Sequence, residues 1–271
     1  MLNQKTTSNT LQRGAVSLSM VLTIALIVVG VYLVFKVNAF EERVKSLETK
    51  LESAQAGQNP ETPVDEKKVK ALFTKGNVIM GDANKAKNLV VEFSDPSCPF
   101  CHVAAGIDQT IGESMDPQGK RFVWKENGGT YEAPVTALRK LAKEGKIAFV
   151  QLYANGHGAG EIAAQALYCA NDEGKYWEAH DLLYSKEGYD VINTEVQNDK
   201  SKAPRMAEFL AGVTDSKKME SCLTSGKYAK KIADDMKLAQ DMGFSGTPMF
   251  VINGKKFPGA YSFADMASAI K

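Results

Sequence analysis

Two cysteines separated by two residues carry the most distinctive chemistry in this chain of 271 residues, in the run Cys98-Pro99-Phe100-Cys101. Such a pair can form a disulfide and exchange it with other thiols, because a cysteine thiolate is the attacking group in that exchange. Other interpretations remain open. With His102 next, the run also fits the C-x-x-C-H rule for covalent haem attachment, and an inert structural disulfide is a further alternative. A zinc site would need more ligands, and the sequence has no second close pair of cysteines or histidines.

The residues around the pair predict a strand, a turn and then a helix. The run NLVVEF at 88–93 is rich in β-branched and aromatic residues, which is typical of a strand. Ser97 is a good N-cap, and Pro99 fits the first helical turn because its missing N–H would have no intrahelical partner there. Cys98 would then lie at the positive end of a helix, which lowers the pKa of a thiol by stabilising the thiolate. This placement favours a redox pair over the alternatives.

A further strand is predicted near the end of the chain. The run MFVI at 249–252 followed by Asn253-Gly254 is typical of a strand that leads into a tight hairpin. Pro248 is acceptable at the first residue of that strand. Without other information, the peptide bond before Pro248 would be taken as trans, since only about 5 to 6% of such bonds in folded proteins are cis.

Charge and cysteine content narrow the class of function. Lysine and arginine total 33 against 32 acidic residues, so the net charge supports neither a nucleic-acid partner nor an acidic substrate. Four cysteines are too few for a disulfide scaffold in a chain of this length. We therefore expect redox chemistry, with at most one structural disulfide beside it.

The N-terminal part of the chain predicts a membrane anchor. Residues 15–34 form an uncharged stretch of 20 residues, long enough to cross a hydrocarbon core of about 30 Å as a helix. A cleaved signal peptide is the alternative, with 37–39 as its cleavage site, although the apolar run exceeds the roughly 7 to 15 residues usual for such peptides. Residues 44–54 have the spacing of a short coiled-coil seam or a solitary stalk helix, and AGQNPETPVD at 56–65 reads as a flexible linker.

Beyond these patterns, the chain resembles the DsbA-like branch of the thioredoxin superfamily, in its membrane-anchored bacterial form. The resemblance rests on VIMGDANKAKNLVVEFSDPSCPFC, ALYCANDEGKYWEAHDLLY, CLTSGKYAKKIADDMKLAQDMGFSGTPMFVING and the closing helix after residue 260. It implies an α/β thioredoxin-like fold with an inserted helical subdomain. We expect a cytoplasmic tail at 1–14, a transmembrane signal anchor at 15–37, a stalk and linker at 38–75, and the thioredoxin-like domain at 76–271 with its helical insertion at about 157–241.

The resemblance also implies roles for individual residues. Thr247-Pro248 would form a cis bond facing Cys98 and, with Pro99 and Phe100, would contact a bound peptide. Glu92 would be a buried acid beneath the disulfide that exchanges a proton with Cys101; alternation along the strand cannot by itself decide whether this side chain faces solvent. Cys169 and Cys222 would form a structural disulfide.

In two places the chain departs from the family pattern. Pro99 and Phe100 lie between the cysteines, whereas the strongest oxidants of the group carry a histidine beside the second cysteine. His102 follows the pair instead, and its position on a helix predicts a solvent-facing side chain. Residues 106–131, rich in glycine and charge, read as an inserted hairpin or loop.

Together these features predict an enzyme that introduces disulfides into reduced extracytoplasmic polypeptides through Cys98 and Cys101. The resemblance implies a membrane quinone-linked thiol oxidase as the reoxidising partner, no metal and no other cofactor. It places the catalytic domain outside the cytoplasm, in the periplasm or at the cell exterior, on a single-pass anchor in the cell membrane. A reductase or isomerase of the same fold is one alternative, and a non-enzymatic anchored scaffold with structural cysteines is another.

Overall fold

The structure is a computed structural model that describes residues 63–117, 119 and 121–271, with helix at 26–27, 29–30, 32–33, 36–38 and 40–45. The chain divides into two compact units, Met1–Ser53 and Ala54–Lys271. The predicted tail, residues 15–25 of the predicted anchor and residues 46–62 of the predicted stalk and linker lie outside the described residues. Among the helices that are described, none has the length and apolar character of a membrane span.

A mixed five-stranded sheet forms the centre of the C-terminal unit, in agreement with the predicted α/β class. Its strands are β1 Val78–Met80, β2 Asn88–Ser94, β3 Ile147–Tyr153, β4 Met249–Ile252 and β5 Lys255–Pro258. Their order across the sheet is β1-β3-β2-β4-β5. The central strand β2 runs parallel to β3 and antiparallel to β4. Residues on β2 are therefore hydrogen-bonded on one side to β3 and on the other side to β4, which follows the helical insertion.

Both faces of this sheet are covered, which explains why the central strands are buried at nearly every position. Val90 belongs to one buried cluster, with Phe149 and Phe250. Its neighbour Val91 belongs to another, with Val150. Because side chains alternate along a strand, Glu92 lies on the same face as Val90.

The helices fall into a set that flanks the sheet and a set inserted between β3 and β4. The flanking set is α1 Glu66–Ala71, α2 Pro99–Ala105, α3 Thr110–Met115, α4 Pro134–Lys143 and α11 Phe263–Met266, with 3-10 turns at Lys125–Asn127 and Ala267–Ala269. The insertion holds α5 Glu161–Asn171, α6 Tyr176–Leu183, α7 Lys186–Asp190, α8 Ala203–Phe209, α9 Ser216–Ser225 and α10 Ala229–Asp241. A π-helical stretch, Val191–Val196, and a 3-10 turn, Lys200–Lys202, connect α7 to α8.

The folded part starts earlier than the predicted boundary at residue 76. Val69 on α1 is 1% exposed and packs in the core beneath the sheet. Ahead of α1, the Val64 backbone N–H donates to the carbonyl oxygen of Gly254 at 2.8 Å. The predicted linker at 56–65 therefore ends in residues that belong to the domain.

The hairpin predicted at Asn253-Gly254 is confirmed. Both residues have positive φ, 49° and 87° respectively, and they join β4 directly to β5. A two-residue turn of this hand needs positive φ at both positions, which asparagine and glycine tolerate best.

The segment 106–131 contains a short helix and a turn. Gly106 ends α2 in the left-handed conformation, α3 follows, and an isolated bridge joins Trp124 to Tyr131. Phe122, in the same segment, is 4% exposed and lies against the core cluster of the sheet. The segment is therefore packed onto the domain in its second half.

Candidate active site

Cys98 is the N-cap of α2, with extended backbone angles and Pro99 as the first helical residue. The prediction that Ser97 is the N-cap was wrong by one position. The hydroxyl of Ser97 is engaged elsewhere: it donates to Asp95 Oδ1 at 2.7 Å and accepts from the Ala159 backbone N–H at 3.2 Å. The sulfur of Cys98 therefore stands at the N-terminal end of the helix.

Asp95 holds the turn that leads into the active-site helix. Its buried carboxylate accepts four hydrogen bonds, from the N–H and hydroxyl of Ser97 and from the backbone N–H groups of Gly156 and His157, at 2.7 to 2.8 Å. Packing around it is tight, since a Cβ atom at Gly160 would overlap its Oδ1. Sequence reasoning missed Asp95, although an aspartate two residues before a serine is a known signal for a local side-chain turn. The carboxylate ties the turn before α2 to the loop after β3.

The two thiols of the pair differ in exposure and in acidity. Both cysteines are free; Cys98 is 4% exposed and Cys101 is 0% exposed. A hydrogen bond with the Cys101 thiol is the largest cause that brings the pKa of Cys98 to about 6, and it outweighs the burial that opposes ionisation. Burial and the neighbouring Cys98 raise the pKa of Cys101 well above its ordinary value. Cys98 is thus the thiolate at neutral pH and Cys101 the thiol.

The Thr247-Pro248 peptide bond is cis, and it faces Cys98. The Cys98 sulfur lies 3.4 Å from the carbonyl oxygen of Thr247, to which the protonated thiol donates. Gly156 packs against the threonine, and a Cβ atom there would overlap its Oγ1. The active-site turn, the cis-proline loop and the loop after β3 therefore meet at one point.

Glu92 is fully buried in the middle of the sheet, opposite Gln151 on β3 and Phe250 on β4. The Gln151 side-chain amide donates to Glu92 Oε2 at 2.7 Å, while Oε1 has no hydrogen-bond partner among the described residues. Burial raises the pKa of Glu92 to about 7, against the opposing effect of the Gln151 hydrogen bond. This acid therefore changes its protonation state near neutral pH.

His102 is buried, so the prediction of a solvent-facing histidine was wrong. Its ring nitrogens lie 3.0 Å from the carbonyl oxygen of Tyr184 and 2.7 Å from that of Pro96. The insertion covers this face of α2, because Tyr184 and Tyr189 both pack against the imidazole. Burial lowers the pKa of His102 to about 4. Because both ring nitrogens face backbone oxygens, neither is free to ligate a haem iron.

Phe100, between the two cysteines, is the exposed apolar residue of the site. Its side chain is 40% exposed, and its ring packs edge-on against Phe122 at 6.2 Å between centroids. The segment 106–131 therefore packs beside the redox pair, where its Phe122 contacts Phe100.

Cys169 on α5 and Cys222 on α9 are joined by a disulfide across 53 positions of the chain. The bond lies within the helical insertion. Cys222 stands near the end of α9. Within the described ranges, no group of three or more His, Cys, Asp or Glu side chains is arranged to hold a metal ion.

Comparison with known proteins assigns the chain to a family. The family model described as Thioredoxin matches residues 130–271, more than half of the chain, and the redox pair lies ahead of the matched part. Two curated relatives are the Na(+)/H(+) antiporters NhaA 1 of Salinispora arenicola and NhaA 3 of Salinispora tropica. Each is 26% identical, over 186 and 181 residues respectively. The match covers 67% of this chain but only 22% of either antiporter, so the chain spans about a fifth of the length of these relatives.

Solved structures share the fold. BdbD of Bacillus subtilis, in its oxidised form, has 18% sequence identity and a TM-score of 0.51, with 77% of this chain and 94% of that chain covered. Alpha-DsbA1 of Wolbachia pipientis has 18% identity and a TM-score of 0.51, with coverage of 74% and 94%. The thiol-disulfide exchange protein alpha-DsbA2 of the same organism has 17% identity and a TM-score of 0.51, with coverage of 76% and 93%. The chain belongs to the thioredoxin family, and its fold is that of the DsbA-like thiol-disulfide oxidoreductases.

Proposed function

We propose that the chain introduces disulfides into reduced extracytoplasmic polypeptides by exchange through a Cys98–Cys101 disulfide. The observation that carries this proposal is the asymmetry of the pair. A pKa of about 6 for Cys98 stabilises the reduced form as a thiolate, and a stabilised reduced form makes a disulfide a better oxidant. The more exposed sulfur of the two is also the one that a substrate can reach.

Oxidation of a substrate would take two exchange steps. A substrate thiolate attacks the Cys98 sulfur of the enzyme disulfide, so that a substrate–Cys98 bond forms and Cys101 leaves as a thiolate. A second substrate thiolate then attacks the substrate sulfur of this mixed disulfide and releases Cys98 as a thiolate. The substrate gains one disulfide and loses two electrons, both of which the enzyme pair receives.

Glu92 supplies the proton that the leaving Cys101 needs. A thiol with a raised pKa is a poor leaving group as a bare thiolate, since thiols of lower pKa leave faster. A buried acid with a pKa of about 7 holds a proton about half of the time at neutral pH and can deliver it as the sulfur departs. Return of the same proton to Glu92 would prepare Cys101 for reoxidation.

The substrate would bind against the cis-proline loop and the exposed ring of Phe100. The backbone of Thr247 lies beside the Cys98 sulfur, as does the first turn of α2 that starts at Pro99. An extended peptide can pair with such backbone groups without a specific side-chain sequence. This mode of binding suits an enzyme that accepts many substrates.

The anchor and the reoxidising partner complete the proposal. A membrane helix at 15–37 would hold the catalytic domain outside the cytoplasm, near a membrane quinone-linked thiol oxidase that accepts the two electrons. The Cys169–Cys222 disulfide supports such a location, because structural disulfides persist in oxidising compartments.

Equilibration of the full-length chain in graded glutathione buffers, with alkylated cysteines counted by mass spectrometry, tests the proposal. A potential of about −120 mV for the Cys98 and Cys101 pair identifies a disulfide donor, whereas one of about −270 mV identifies a reductant. Cys98→Ser, with Cys222 and Cys169 intact, is the control that must abolish oxidation of a reduced peptide. A pair that never cycles, or a variant as active as the wild type, would refute the proposal in favour of a scaffold.

A further inference from the structure

A chain of hydrogen bonds leads from the buried acid Glu92 toward the surface. Its centre is the side-chain amide of Gln151. The amide nitrogen lies 2.7 Å from Glu92 Oε2 and 3.5 Å from Nε2 of His180, and the amide oxygen accepts from the Tyr176 hydroxyl at 2.7 Å. All four side chains are at least nine-tenths buried. The side-chain amide of Gln151 is therefore buried, and its orientation depends on these three neighbours.

His180 is held at its other ring nitrogen by a carboxylate. Nδ1 lies 3.0 Å from Asp181 Oδ1, and Arg139 binds both oxygens of the same carboxylate. Although burial opposes it, the hydrogen bonds from His180 and Arg139 bring the pKa of Asp181 to about 2. An ionised carboxylate only accepts, so the proton of the neutral imidazole resides on Nδ1. The lone pair of Nε2 consequently faces Gln151.

A lone pair at this position selects one of the two orientations of the amide. With its nitrogen toward His180, Gln151 donates to Nε2 and to Glu92 together. The amide oxygen then faces the Tyr176 hydroxyl, which donates to it. In the reversed orientation the amide oxygen would face two acceptors, the Nε2 lone pair and the Glu92 carboxylate, which is repulsive.

We propose that the Asp181–His180 pair is a positioning device for the redox reaction, which fixes the Gln151 amide so that its N–H donates to Glu92. The inference rests on the proposed function in one respect, since Glu92 matters to exchange only if it passes a proton to Cys101. If the proton of His180 moved to Nε2, the amide would turn its oxygen toward Glu92. The carboxylate would lose its donor, and Glu92 would then keep its proton to higher pH.

Several titratable groups face His180. Asp181 raises the pKa of the imidazole, and Arg139 lowers it. Glu92 lies beyond Gln151 on β2, Arg139 approaches from α4, and His102 acts from α2. On its own helix and just after it are Asp181, Tyr176 and Tyr184, whose ring stacks on the imidazole at 4.2 Å. Burial lowers the pKa of His180 and keeps the ring neutral at neutral pH.

The test exploits a difference in sign. Asp181→Ala removes a negative charge and leaves Arg139 unpaired, and both changes by themselves favour the ionised form of Glu92. The proposed positioning predicts the opposite result, because Nδ1 loses its acceptor and the proton can move to Nε2. We expect the midpoint of Glu92 protonation to rise by about one pH unit, as for the loss of a hydrogen bond to a charged group. Asp181 is also 41% exposed at its side chain, so its replacement should leave folding intact.

Infrared difference spectroscopy of the reduced full-length chain measures this midpoint from the band of the protonated carboxyl, assigned by its loss in Glu92→Gln. His180→Phe keeps a ring against Tyr184 but has no nitrogen acceptor for the Gln151 amide. It should therefore also raise the midpoint of Glu92 protonation. Asp234→Ala, at an aspartate paired with Lys230 on the surface of α10, is the matched control and should leave the Glu92 midpoint unchanged. An unchanged or lowered midpoint in Asp181→Ala would overturn the inference. The reduced chain needs no turnover for this measurement, so failure of the proposed function would be seen separately, in the glutathione titration.

Discussion

The acidity of Cys98 gives the sharpest prediction, through removal of its neighbour. The hydrogen bond with the Cys101 thiol is the largest cause of the lowered pKa, so Cys101→Ala should return part of the shift. A hydrogen bond to a charged group contributes about 1.5 to 3 kcal/mol, and 1.36 kcal/mol corresponds to one pKa unit. The pKa of Cys98 should therefore rise from about 6 by about 1 to 2 units. Cys101→Ser keeps an O–H donor at the same place and should stay near the wild-type value.

The assay is the rate of alkylation of the reduced full-length chain by iodoacetamide across pH, with the modified residue identified by mass spectrometry. Only the thiolate reacts, so the midpoint of the rate profile reports the pKa. The reasoning is refuted if the wild-type midpoint lies near 9.0, the ordinary value, or if the alanine and serine variants have the same midpoint.

The same pKa sets how much the thiolate contributes to the redox potential. A lowered pKa stabilises the reduced folded protein above pH 6, increasingly up to pH 9.0, and the stabilisation is lost as the pH falls through about 6. At pH 7 the shift from 9.0 to about 6 is equivalent to about 1.4 kcal/mol, or about 30 mV. About 150 mV separates thioredoxin from the strong oxidant of this group. A potential near that of the oxidant therefore requires stabilisation of the reduced pair beyond the thiolate alone.

Three further predictions concern stability, and urea unfolding of the full-length chain measures each. Because the pKa of Glu92 is raised from 4.5 to about 7, the free energy of unfolding should fall by about 3 kcal/mol as the pH rises through this range. Glu92→Gln should not show that loss, and a parallel pH dependence in both proteins would contradict the burial argument. Replacing Cys169 and Cys222 together by alanine should lower the unfolding free energy by about 4 kcal/mol for a separation of 53 residues, and an unchanged midpoint would rule out the disulfide as a staple. Asp95→Asn places a donor against backbone donors and should lose about 2 kcal/mol, whereas the same change at Asp82, an exposed turn, should be nearly neutral; equal effects would remove the special role of Asp95.

Local patterns in the sequence predicted the elements that carry the site. The strand before the pair, the helix after it and the hairpin at Asn253-Gly254 each follow from the residues of one short segment. The N-cap was misplaced by one residue, since Ser97 is a good cap in isolation. Its hydroxyl is held by Asp95 and by the N–H of Ala159, a residue 62 positions later, and that competition is tertiary.

The contacts that tune the site could not be predicted, because they join distant segments. His102 is buried by Tyr184 of the insertion, 82 positions away. Gln151 is placed beside Glu92 by the register of two strands 59 residues apart. Alternation left the exposed face of β2 undecided, since nothing in one strand tells whether helices cover both sides of the sheet. The buried position of Glu92 follows from that cover.

The bond pattern of Asp95 also determines where the helical insertion can be exchanged for that of a relative. The sequence predicted that the insertion begins at about 157. Asp95 accepts hydrogen bonds from the N–H groups of Gly156 and His157, which lie on the two sides of a junction placed there. A chimera joined there would divide one binding site between two parents. A side chain at Gly156 would overlap Thr247, and one at Gly160 would overlap Asp95. The loop from 156 to 160 must therefore come from the same parent as the redox pair. Transplantation of the insertion should therefore begin at Glu161, the first residue of α5, with the loop kept from the recipient.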